Sequence, residues 1–514
     1  MPEEAPCVHQ AEPRLEGGRS RRCANGAVAV VAVFVLAACA PAPTSAPRSP
    51  SGGTASGRGR LGQAKIAARA GQAIHVVLQP THGPVGTRVA VLVSGLSPGT
   101  EASVEWQQVT GTWHESATGV FSGSTYAPSL KPLLSVDSGP SRRVSTSFVV
   151  PAAFGGPHSV AVVRSGRSVA IAAFDVATTA SITPRAGPVG TPIKVVMTGI
   201  GWKPYHQNYD VAYDNRMTGW MSAVTTLGAA TAVIPATGVP GFHDIRIYES
   251  GDRVPYLNPQ QGAVPLSAFD FAFTVTMGAP VLPGAALSQT PAAVPAPAPV
   301  RGAGPQVWLN DAAGPPGTPL VLSGAQFPRR QTYSVHWYTL RGNHILGSQV
   351  VEETLASART GIDGRLRVAF DAPADLQGAH RIVVVAGAAT AGANFVMTPE
   401  VLPLQPESGP SGTPITIRLR GTGWTETGNI YTVVYDNAYL GFGCGFNSHG
   451  DITIHLTASG GPGWHFIELL PSVWKVSGLA VGSADYIQVP QLTYASDHPG
   501  EHLPGFELAF DVVG

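Results

Sequence analysis

Gly187-Pro188-Val189-Gly190-Thr191-Pro192-Ile193 opens a stretch that runs to Tyr213-Asp214-Asn215. It returns 222 residues later as Gly409-Pro410-Ser411-Gly412-Thr413-Pro414-Ile415, running to Tyr435-Asp436-Asn437. Between these ends Gly199, Gly201, Trp202, Tyr209 and Val211 meet Gly421, Gly423, Trp424, Tyr431 and Val433 without a gap. The opening alone recurs as Gly83-Pro84-Val85-Gly86-Thr87 and Gly314-Pro315-Pro316-Gly317-Thr318. The chain therefore holds four copies of one unit.

In Gly-Pro-x-Gly-Thr a φ-locked proline stands beside glycines that accept positive φ, which predicts a tight turn delivering the chain into a strand. The residues after the turn alternate with period two: Ile193, Val195 and Met197 against Lys194 and Thr198, and Ile415, Ile417 and Leu419 against Thr416, Arg418 and Arg420. One face should be core and the other wet. A glycine turn carrying an aromatic leads to a second strand, with Tyr209, Val211 and Tyr213 or their repeats facing inward. Two units, here named A, place Trp106 and Trp337 there, in Ser103-Val104-Glu105-Trp106 and Ser334-Val335-His336-Trp337 at a shift of 231. The other two, named B, also share Phe269-Asp270-Phe271-Ala272-Phe273 with Phe506-Glu507-Leu508-Ala509-Phe510. A buried aromatic at this place, in turn-rich units of about 100 residues, predicts an all-β chain of four tandem immunoglobulin-like β-sandwich domains in two A-B pairs.

The expected division is 73–177 (A1), 178–277 (B1), a Pro/Ala-rich linker over 278–304, 305–398 (A2) and 399–514 (B2). Composition agrees with globular modules: 61 glycines and 46 prolines serve turns, while 44% hydrophobic residues suffice for cores. Lys plus Arg and Asp plus Glu are both 32, so no net field exists to attract nucleic acid.

At the N-terminus Arg19, Arg21 and Arg22 precede an apolar run from Ala24 to Ala38, the layout of a signal peptide over residues 1–38. The run ends in Leu36-Ala37-Ala38-Cys39, which resembles the lipobox of bacterial lipoproteins. That resemblance implies cleavage, acylation of Cys39 and attachment to the outer face of a bacterial membrane. Residues 39–72, rich in Pro, Ser, Gly and Ala, then read as a flexible tether. Of the four cysteines, Cys39 and Cys444 would remain, so packing and not disulfides must hold the domains.

Every unit carries Gly-x-His-x-(Val/Ile), at His158, His243, His380 and His465. By parity each ring points into its own sandwich, so these are read as hydrogen-bonded structural histidines and not as a shared metal site. His498-Pro499-Gly500-Glu501-His502 spells an inverted zinc-protease pattern, yet Pro499-Gly500 breaks the helix that chemistry needs, leaving a solvated loop. His449, Asp451 and His455 near Cys444 read as a polar turn entering a strand, with Cys444 a small turn-adjacent hydrophobe. Asp214-Asn215 and Asp436-Asn437 read as hairpin turns, because Asp and Asn tolerate left-handed φ. No nucleophile elbow or phosphate loop is present, and no catalysis, metal or cofactor is expected; the rivals are a metal-dependent hydrolase centred on His498, Glu501 and His502 and a surface metal site at His449, Asp451 and His455.

The openings, each leading to Gly-x-Gly-aromatic, resemble IPT/TIG-type and related bacterial immunoglobulin-like repeats over most of residues 74–513. The resemblance implies extracellular spacers, adhesive units or accessory parts of surface proteins, without catalytic residues. The expected function is accordingly that of a lipid-anchored spacer or interaction module. The alternative is a carbohydrate-binding or adhesive protein using aromatics of the last domain: Trp464, Trp474, Tyr439 and Phe442. Cell-wall polysaccharide or a surface protein would be the partner. Phe242 and its repeat Trp464 face away from their own cores and are expected to pack against the preceding A domain.

Overall fold

The computed structural model describes residues 73–115, 121–250, 254–261, 265–284, 304–343, 347–425, 427–472 and 488–514. The signal peptide, the tether with Cys39, Trp474 and most of the linker lie outside the described residues. The rest is four β-sandwiches, each a three-stranded sheet facing a five-stranded one, with the same strand order four times over. Among the described residues no helix is long and apolar enough to cross a membrane.

The repeated opening makes this topology by moving the first strand between sheets. In A1, His75–Gln79 pairs antiparallel with Arg88–Ser94 in the small sheet. The chain then crosses, and His82-Gly83 pairs parallel with the last strand of the large sheet. Gly-Pro-x-Gly-Thr comes next, and each of its residues has a task. The threonine hydroxyl donates to the proline carbonyl at 2.7 Å in all four domains. This folds the threonine over the first glycine, where any Cβ would strike its side chain. The second glycine takes φ between 81° and 96°, the left-handed region.

The expected inward residues are the cores. Ile193, Val195 and Met197 in B1 and Ile415, Ile417 and Leu419 in B2 are fully buried, as are Trp106 and Trp337 in the A domains. The second strands of the B domains depart from one-sided burial. Asn208–Tyr213 is covered on both faces over most of its length, and Ile430–Tyr435 over all of it, because further chain lies across the outer face of each large sheet.

The four histidines stack on the central aromatic of their own domain: His158 on Trp106 at 4.7 Å, His380 on Trp337 at 4.4 Å, His243 on Tyr213 at 5.4 Å and His465 on Tyr435 at 5.6 Å between ring centroids. In each, Nε2 lies 2.6–2.9 Å from the carbonyl oxygen four residues earlier. The turn residues Asp214, Asn215, Asp436 and Asn437 have φ between 48° and 63°. The aspartates do more than turn the chain. Asp214 pairs with His243 at 2.7 Å and accepts the Asp244 amide, and Asp436 does the same for His465 and the Phe466 amide.

Partners within each pair meet at their ends. The Gly155 amide donates to the Ile200 carbonyl in the first pair, and the Gln377 amide to the Thr422 carbonyl in the second. Phe446, Leu340, Leu376 and half-buried Trp424 form a small cluster across the second junction. Contacts also join the two pairs, and no motif of the sequence signals them. The chain between Gln488 and Leu503, inserted in B2, lies along the edge strand Arg216–Met221 of B1. There Trp220 bridges Gln491 in parallel register, donating its amide to Pro490 and accepting from the Leu492 amide, both at 2.8 Å.

Candidate functional site

Two kinds of place could carry function: the aromatic region of B2 singled out by sequence, and the cavities of the folded molecule. In B2 the structure disperses the expected residues. Trp464 is half-buried on the outer face of Gly463–Pro471, and Phe466, two residues on, is buried against the Gly190 turn of B1. The Tyr439 hydroxyl donates to the Gln488 carbonyl, so it serves the inserted segment. Phe442 is 51% exposed, next to Leu440 at 54%, on the strand Ala438–Cys444.

Phe242 corrects the packing expectation, being 69% exposed. It pairs with Thr274 near the Asp214 turn, whereas A1 joins B1 at the Ile200 and Gly228 loops, at the other end of the strands. Cys444 ends the strand Ala438–Cys444 beside the Gly445 turn and is exposed. The His498–His502 segment is not a free loop. His498 stacks on Tyr494 at 4.9 Å and lies 3.2 Å from His502, and Gly500 sits against the Glu115 carboxylate of the A1 hairpin. Burial holds His498 below the ordinary imidazole range. Among the described residues no group of three His, Cys, Asp or Glu side chains could hold a metal ion.

At the centre of this docking is Asp497, 1% exposed. One carboxylate oxygen accepts from Trp113 Nε1 of A1 at 2.9 Å and from the amide and hydroxyl of Thr225 in B1 at 2.8 and 2.7 Å. The other accepts from the Ser222 hydroxyl at 2.6 Å and the Val224 amide at 2.8 Å. Five donors from two domains thus converge on one side chain of a third.

A cavity of about 660 Å³ lies on the outer face of the B1 large sheet, under the loop that carries Pro255, Tyr256 and Leu257. Met217, Tyr248, Tyr256 and Leu257 form its apolar walls, and Asn215, Arg246 and Glu249 bring polarity to it. Arg246 is oriented by Asp270, with Nε 2.6 Å from one carboxylate oxygen. Glu249 is buried, bonded to His206 at 2.6 Å and accepting from the Ser267 amide and hydroxyl at 2.7 and 2.5 Å. The carboxylate stands between the Ser267 hydroxyl and the imidazole, so the ring is not placed to take the hydroxyl proton. Such a mixture of aromatic walls and a few fixed polar groups suits binding of a small or extended ligand.

B2 differs at the matching positions. Glu468 stands where B1 has Arg246, and its cross-strand neighbour is Glu507 where B1 has Asp270. Glu468 is 2% exposed, and burial together with the nearby Glu507 pushes its carboxyl up to about 8. Sequence reading missed both the B1 cavity and Asp497; the charge reversal from Arg246 to Glu468 was the available signal that the two B sheets do different work.

The chain matches no family model and no curated protein. Among solved structures it is similar to Salmonella α2-macroglobulin reacted with methylamine, at 10% identity and TM-score 0.17 over 86% of this chain and 31% of that one. It is also similar to the ICAM-5 D1-D4 ectodomain fragment, at 13% identity and TM-score 0.16 over 82% of this chain and all of that one. A third is invasin, a bacterial integrin-binding protein, at 9% identity and TM-score 0.17 over 85% of this chain and 79% of that one.

Proposed function

We propose that this chain is a non-catalytic interaction scaffold of the bacterial surface, acylated at Cys39 and held to the outer face of a membrane. The observation that supports it best is the convergence of A1, B1 and B2 on Asp497. A string of independent spacers needs no such joint, whereas a scaffold that presents surfaces in a set arrangement does. Its partner, cell-wall polysaccharide or a surface protein, docks at the B1 cavity around Tyr248, Tyr256 and Arg246.

The test is retention of the purified full-length chain on isolated cell-wall polysaccharide and on envelope proteins. Tyr256→Ala should weaken retention about tenfold, the loss expected for an aromatic anchor. Unchanged retention in that variant, or none for the wild type on either fraction, removes the reading. Cys39→Ala should move the protein from the membrane to the soluble fraction. The adhesive alternative, using Trp464, Trp474, Tyr439 and Phe442, draws support from the exposed Phe442-Leu440 pair and predicts that Phe442→Ala, and not Tyr256→Ala, abolishes retention.

A further inference from the structure

The outer face of the small sheet of A2 holds a second groove, of about 360 Å³, lined by Trp308, Ser323, Arg359, Arg365 and Arg367. Trp308 pairs with Ser323 and Ser323 with Arg367, so the three form one row across the strands Gln306–Leu309, Pro319–Ala325 and Leu366–Asp371. Strands lie about 4.8 Å apart, which sets the indole and the Arg367 guanidinium roughly 10 Å from each other. Trp308 is 51% exposed. Arg359 and Arg365 flank the row from the strand end and the adjoining turn. The Asp363 carboxylate is 3.7 Å from Arg365, and Arg359 and Arg367 have no ion-pair partner among the described residues.

The sister domain shows that this is particular to A2. The matching row in A1 is Val77, Leu92 and Ser145, with neither ring nor cation. A net-neutral chain thus gathers three guanidinium groups beside one open indole face. Guanidinium forks pair with carboxylates bidentately, and an exposed indole offers a flat apolar face for the C–H side of a pyranose ring. We infer that this groove binds an acidic polysaccharide, stacking one sugar on Trp308 while Arg367, Arg359 and Arg365 take carboxylates of the neighbouring sugars. An acidic peptide accounts for the arginines but leaves the tryptophan without a task. The groove is separate from the B1 cavity, and its ligand does not depend on what that cavity binds.

Affinity electrophoresis of the full-length chain through gels containing polygalacturonate, a neutral β-glucan or poly-glutamate tests it. Retardation is expected in polygalacturonate only, weakened about tenfold by Trp308→Ala and by Arg367→Ala, each removing one anchor, and partly kept by Arg367→Lys. Unaltered melting temperatures establish that the variants fold, and Val77→Ala, in the matching row of A1 and outside both sites, serves as the control, expected to migrate like the wild type. Absence of retardation overturns the proposal, as does retardation that Trp308→Ala leaves unchanged. Equal retardation by poly-glutamate overturns it in favour of an acidic-peptide site.

Discussion

Gly187 shows how a motif residue is dictated by its neighbour. A methyl group there meets the Thr191 side chain, which is held by its bond to the Pro188 carbonyl. Gly187→Ala should cost about 1–3 kcal/mol by overpacking, and Thr191→Ala in the same chain should return part of it; a double-mutant cycle of melting curves measures the coupling. Glu468 is governed by electrostatics instead. Burial and Glu507 raise its carboxyl from 4.5 to about 8, so ionisation opposes folding progressively as pH climbs between those values. His465 acts in the same direction. Burial lowers its pKa, but the Asp436 hydrogen bond and charge outweigh this and leave it raised, so its stabilisation is present at low pH and lost as pH rises through its folded value. The melting temperature of the transition that includes B2 should therefore fall between pH 5 and pH 8. Glu468→Gln should raise it by several degrees at pH 8 and leave it nearly unchanged at pH 5.

Among elements, the inserted segment around Gln491–Asp497 has no regular structure of its own yet holds two domains to a third. Its backbone pairs with Trp220 and turns back on itself at Thr493, and its buried Asp497 carboxylate takes five donors. Asp497→Ala strands those donors, with a loss of about 3 kcal/mol or more from this interface. Hydrogen exchange at Trp220 and Leu492 should accelerate in that variant while the core strand Pro192–Thr198 keeps its protection. Inside A2 a buried carboxylate serves its own domain instead: Asp375, fully buried, accepts from Trp337 Nε1 at 2.7 Å, Thr339 at 2.8 Å and Arg341 at 2.7 Å. The corresponding indole nitrogen in A1, on Trp106, is buried with no partner, so the duplicated cores have diverged in how they satisfy the same ring.

For the whole molecule, A1, B1 and B2 are coupled through Asp497, Trp220, and Asn437, whose amide donates to the Pro235 carbonyl at 2.8 Å. These three domains should unfold in one calorimetric transition. Trp220→Ala combined with Asp497→Ala should split it and increase the radius of gyration measured by X-ray scattering. A second-pair body that swings freely on the linker would give a split transition in the wild type.

The twofold-spaced apolar residues at Ile193, Val195 and Met197, the glycine-proline openings and the inward Trp and Tyr residues determined by themselves that this chain makes four like sandwiches. Each of those signals is local, acting within one turn or between adjacent strands, and repetition multiplied it. The structural histidines were legible for the same reason, although their aspartate partners were not, since a hairpin turn already accounted for Asp214 and Asp436. Only the tertiary structure decided that Asp497 and Trp220 meet, that Phe242 stays open, and that Trp308 shares a face with Arg367. The first two depend on how finished domains dock and the third on which strands of A2 lie side by side, and neither is written in a local periodicity.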